Sequence, residues 1–108
     1  RHRNAYKNAS QRLKKMSDHS DSKEFARELS EILREYIGDK LNLQGKAITA
    51  EEVQARLKEF DYELQQAEET RKLLEKCETF QYAPMTQGST KQLLGESEKL
   101  IKVLEKQS

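Results

Sequence analysis

Tryptophan is missing from this sequence, and cysteine and proline each occur once. A single thiol, Cys77, excludes an internal disulfide and fits a reducing compartment. With one proline and four glycines in 108 residues, little in the chain interrupts helix. Runs of β-branched residues that would read as strands are missing, and no segment approaches the ~20 apolar residues of a membrane span. Apolar residues are themselves scarce, at 34%. Charged residues reach 36%, where ordinary domains carry about a quarter. Any core must therefore be narrow and well patterned, and the length suits one domain. The chain opens on Arg1, with neither an initiator methionine nor a signal-peptide pattern, which reads as a domain excised from a longer protein.

Charge is present in quantity and unevenly placed. Arg1, Arg3, Lys7, Arg12, Lys14 and Lys15 fall in the first 17 residues, which contain no acid. The other 91 residues hold 14 bases against 19 acids, a net of −5. Residues 1–17 thus read as a basic helical arm, and residues 18–108 as a mildly acidic body. The arm admits three readings: phosphate contacts with nucleic acid, a position beside a membrane where bases accumulate, or a solvated helix.

Apolar spacing defines the helices. Ala5, Ala9, Leu13 and Met16 make a thin stripe on the first, followed by a break at Ser17–Ser22 rich in capping residues. Phe25, Leu29, Ile32, Leu33, Tyr36, Ile37 and Leu41 share one face of the second, with Asp21 and Glu24 as a capping-box start and a fade near Leu41–Gly45. Thr49 and Glu52 form a second capping box, with Ile48 and Val53 placed for a hydrophobic staple. Val53, Leu57 and Phe60 continue the face of that third helix. Asp61 then caps a fourth, whose stripe runs through Leu64, Ala67, Leu74 and Cys77, flanked by Leu73 and Phe80. Pro84 disfavours helix at Ala83. Ser89 and Gln92 restart it, with Leu93, Leu94, Leu100, Ile101 and Leu104 as the apolar face. The expected fold is all-α, a small antiparallel bundle of four to five helices joined by short loops.

Sites of chemistry are hard to find. Cys77 sits on an apolar stripe far in sequence from either histidine, so it reads as a packing residue and not a nucleophile. His2 and His19, near Asp18 and Asp21, lack a second close His or Cys at ligand spacing, so no metal is assigned. Carboxylates such as Glu31–Glu35 and Glu98 with Lys102 stand at helical intervals, as a solvated face does. No glycine-rich phosphate loop is present. Gly38 and Gly95 fall within helices, where they either mark a close helix approach or are simply tolerated. The sequence thus predicts no enzyme, no cofactor and no catalytic residue.

Three blocks resemble the cytoplasmic C-terminal domain of the BatD-like oxygen-tolerance (aerotolerance) family. They are Leu33-Arg34-Glu35-Tyr36-Ile37-Gly38-Asp39-Lys40-Leu41-Asn42-Leu43, then Ile48-Thr49-Ala50-Glu51-Glu52-Val53, then Leu73-Leu74-Glu75-Lys76-Cys77 closed by Tyr82-Ala83-Pro84. Gln44-Gly45, where the family has a proline-containing turn, and Tyr82, where it has Phe, depart from the pattern. The resemblance implies a domain on the cytoplasmic side of a bacterial inner-membrane-anchored stress protein. Its implied role is non-enzymatic protein interaction or scaffolding. Its implied partners are a MoxR-type AAA+ ATPase and the von Willebrand A-domain and helical-repeat proteins of the same operon. The six arm bases would then meet an anionic membrane surface, with no specific nucleic acid. The alternative is a free helical domain that binds nucleic acid through the basic arm.

Overall fold

The structure is a computed structural model that describes residues 2–16, 22–41, 43, 49–82 and 89–107, with the backbone alone for residues 2, 3, 22 and 89. Five helices occupy these segments: α1 (His2–Lys14), α2 (Ser22–Lys40), α3 (Ala50–Glu59), α4 (Leu64–Tyr82) and α5 (Ser89–Gln107). No strand occurs among the described residues. The fold is an all-α bundle of five helices, as apolar spacing predicts.

One core unites all five. On α1, Ala5, Ala9 and Leu13 are buried, with Met16 just past its end; on α2 the buried set runs from Phe25 through Leu29 and Leu33 to Ile37, with Leu41 just beyond. Val53 and Leu57 from α3, Leu74 and Cys77 from α4, and Leu93, Ile101 and Leu104 from α5 complete it. Each fully buried Leu or Ile contributes about 1.5–3 kcal/mol relative to exposure, which is how so few apolar residues suffice. The Cα radius of gyration is 13.1 Å, close to the ~13 Å expected of a single domain this long. The basic segment is part of this body: α1 packs on α2 and α5, and α3 rests on α4.

Helix directions follow from polar contacts. The Lys76 Nζ lies 3.3 Å from Glu96 Oε1, and the Glu63 amide donates to Gln107 Oε1 at 3.0 Å. Together these contacts set α4 and α5 antiparallel. Lys40, at the end of α2, meets Glu105, near the end of α5, at 3.1 Å. The helices α2 and α5 therefore run together, each opposed to α4.

Local signals explain the α3–α4 hairpin. The Glu52 amide donates to Thr49 Oγ1 at 3.1 Å, and the Thr49 amide donates to Glu52 Oε1 at 3.1 Å, which completes the expected capping box. Its companion staple at Ile48, and the capping starts assigned to Asp21 and Ser89, lie outside the described residues or side chains. The end of α3 differs from the sequence reading. Asp61 does not cap α4; it takes a left-handed conformation with φ 66° just past the C-cap, Phe60. The Asp61 amide donates to Lys58 O at 3.1 Å and the Tyr62 amide to Leu57 O at 3.0 Å. This is a Schellman stop, sealed by the buried Tyr62 and Leu57. The helix α4 begins only at Leu64, and two expected core positions are displaced: Phe60 is 50% exposed and Leu64 68%. Neither described helical glycine marks a close approach: a Cβ on Gly38 would meet Leu43 O at an ordinary 3.9 Å, and one on Gly95 nothing within 4 Å.

Candidate functional site

The surface of α1 follows from its burial pattern. With Ala5, Ala9 and Leu13 turned into the core, Lys7 and Lys14 are carried on the opposite, exposed side, and Lys15 is exposed just past the helix end. None of the three pairs with an acid among the described residues. Arg12 behaves differently: its Nη1 donates to Glu35 Oε1 at 2.8 Å, which ties α1 to α2. Arg3 stands on α1 one turn before Lys7, with its side chain outside what is described, and Arg1 lies outside altogether. The structure thus brings together Lys7, Lys14 and Lys15 as a free basic surface and withdraws Arg12 into an ion pair.

Cys77 is fully buried. Burial pushes its thiol up to about 12 and outweighs the nearby Arg34 charge, which acts the other way. At neutral pH a thiol held this high stays protonated, as in a packing residue. No group of three or more His, Cys, Asp or Glu is arranged to hold a metal among the described residues. The residues His19, Asp18 and Asp21 weighed for that role lie outside them, as does the His2 side chain. No described helix is long and apolar enough to cross a membrane.

Two features escape a one-dimensional reading because each joins distant helices. The first is a polar knot where α2 meets α5. The Tyr36 hydroxyl donates to Glu105 Oε1 at 2.9 Å, and the same oxygen lies 3.1 Å from Lys40 Nζ. Burial and the adjacent carboxylate raise the Tyr36 pKa well above the usual phenol range. The buried phenol needed a partner, which the sequence signals, but its identity depends on how the helices pack. The second is an open groove of about 490 Å³ between α4 and α5. Leu73, Leu100 and Val103 line its apolar part, and its polar rim carries Lys72, Lys76 and Lys99 beside Gln66, Glu69 and Glu96.

The fold and these surfaces define a small helical bundle with charged outer faces. No family model, curated protein or solved structure matches the chain. The likeness to BatD-like proteins rests on the residue blocks alone, and its functional content is a proposal.

Proposed function

We propose that this domain is a non-enzymatic protein-interaction module held close to an anionic membrane surface, as in the cytoplasmic part of a BatD-like, membrane-anchored bacterial stress protein. One observation carries the reading: α1 is anchored through its apolar side while Lys7, Lys14 and Lys15 are presented together, free of acids among the described residues. A helix fixed in this way holds the backbone of its bases in place, so no backbone ordering entropy is lost when lipid headgroups are met. The partners implied by the resemblance, a MoxR-type ATPase and its operon companions, would then engage the remaining helices.

Each base near an anionic surface contributes on the order of 1 kcal/mol, so three together favour binding by about a hundredfold. Removing residues 1–16 is a poor test, because it would strip Ala5, Ala9, Leu13 and Met16 from the core. Charge reversal is cleaner. The triple variant Lys7→Glu, Lys14→Glu, Lys15→Glu should fold normally and lose co-sedimentation with phosphatidylserine vesicles. Wild type should bind those vesicles at low salt, release them once the Debye length shrinks below ~10 Å, and ignore neutral vesicles. Binding that survives the triple substitution refutes the assignment. A sequence-selective nucleic-acid complex stable at physiological salt would instead establish the alternative, nucleic-acid binding through the basic segment.

A further inference from the structure

The lysines of α5 gather along one side of the helix. Lys91, Lys99, Lys102 and Lys106 are all exposed. At 100° per residue they fall within an arc of about 80°, in a stripe roughly 22 Å long. Two of the helix's three acids are engaged by other helices: Glu96 pairs with Lys76 on α4, and Glu105 with Tyr36 and Lys40 on α2. Glu98 borders the stripe, half-buried, and makes no ion pair with Lys102. None of the four lysines joins an ion pair among the described residues.

Exposed Gly95 lies at the centre of the stripe, where no neighbour among the described residues calls for glycine. A mid-helix glycine weakens the helix, and here its missing side chain lowers the surface where another backbone could come close. On one side the stripe joins the α4–α5 groove through Lys99, which belongs to both. The unpaired lysines of α5 and the apolar lining of Leu73, Leu100 and Val103 therefore form one continuous face, on which the bases outnumber the groove carboxylates Glu69 and Glu96.

We propose that this face docks an acidic amphipathic helix from a partner protein, its carboxylates along the α5 lysines and its apolar edge in the groove. The proposal rests on the protein-interaction reading above and names the partner's chemistry. Charge complementarity sets the sign of the partner, and the groove selects a helix. Phosphate backbones and lipid headgroups offer no apolar ridge to fill it, and the stripe is narrow, with Glu98 at its border.

The probe is a synthetic, helix-stabilised peptide of about 18 residues, long enough to cover the stripe, with leucines on one face and glutamates beside them. Titrated into the isotope-labelled full chain, it should shift amides of residues 66–76 and 91–106 and leave α1 unmoved. Replacing the peptide's glutamates by glutamine, or introducing Lys91→Glu, Lys99→Glu and Lys102→Glu, should each weaken binding by on the order of tenfold. The triple α1 variant should bind the peptide normally, and the triple α5 variant should still bind anionic vesicles, which separates this proposal from the membrane reading. Equal binding of the glutamine peptide, shifts centred on α1, or no shifts at all would overturn it. So would loss of vesicle binding in the α5 variant without any effect on the peptide, which would make the stripe a membrane surface.

Discussion

Replacing Tyr36 by Phe isolates the polar knot between α2 and α5. The ring is 2% exposed, so its packing survives and only the hydroxyl is lost. Its contact with Ile101 O, at 3.4 Å, is too long to contribute much. The bond to Glu105 at 2.9 Å carries the effect. Hydrogen bonds to charged groups contribute about 1.5–3 kcal/mol. Glu105 is 35% exposed and keeps Lys40, so water and the ammonium compensate in part. The expected loss is therefore about 1–2 kcal/mol, or roughly 4–10 °C in melting temperature. Glu105→Ala should cost more, about 2–3 kcal/mol, because it strands the Lys40 ammonium, whose side chain is only 10% exposed. The double variant should fall short of the sum by on the order of 1 kcal/mol, as groups sharing one carboxylate do. Urea denaturation of the four proteins completes the cycle. Strict additivity, or a Tyr36→Phe variant as stable as wild type, would refute the coupling.

The remaining expectations concern core, cap, thiol and stripe. Leu33→Ala, at a fully buried position, should cost about 2–5 kcal/mol, whereas Glu31→Ala on the exposed side should stay within ~0.5 kcal/mol; similar denaturation midpoints for the two would place the core face of α2 wrongly. Thr49→Ala should cost roughly 0.5–2 kcal/mol and speed amide exchange at the start of α3, and unchanged exchange there would contradict the cap. The buried Cys77 thiol holds its proton up to about 12, while an unfolded chain releases it from near 9.0. Below that window the group adds no pH dependence; within it, stability should fall by about 1.4 kcal/mol per pH unit from this group alone, and an unchanged slope in Cys77→Ala would count against the shift. Gly95→Ala meets open space and should stabilise by roughly 0.5–1 kcal/mol, and destabilisation would reveal a neighbour that the structure does not contain.

Most of the fold could be read from spacing alone, because a core this lean leaves few ways to bury it. The eight positions Leu33, Ile37, Val53, Leu57, Leu74, Cys77, Leu100 and Ile101 sit on stripes of period 3.6, and all are buried. The Thr49–Glu52 box is equally local and formed as written. The misreading at Asp61 has a physical cause. Aspartate is favoured both as an N-cap and, among non-glycine residues, in the left-handed conformation, so one letter served two opposite signals. Reading it as a start moved α4 forward and put Leu64 on its apolar stripe, while the spacing from Val53 and Leu57 extended the face of α3 to Phe60; both are exposed. The candidate sites were less legible. A count of six bases in the arm does not show that Arg12 reaches Glu35, nor that the α5 lysines lie beside an apolar groove. Both facts depend on which helices become neighbours, which periodicity within one helix does not encode.

The hairpin of α3 and α4 also bears on how the chain folds. Its start is fixed by Thr49 and Glu52, its turn by Asp61 and its seal by Leu57 and Tyr62, all within 14 residues of one another. Contacts that short close quickly, since little chain entropy is lost before they form. By contrast, α2 reaches its partners on α5 across 65 residues or more. The hairpin is therefore a unit that can organise first and present α4 as a template. The later event is the arrival of α2 and α5 on that template and against each other, with α1 settling on both. On this order, substitutions in the turn should slow folding, and those in the Tyr36 knot should chiefly hasten unfolding.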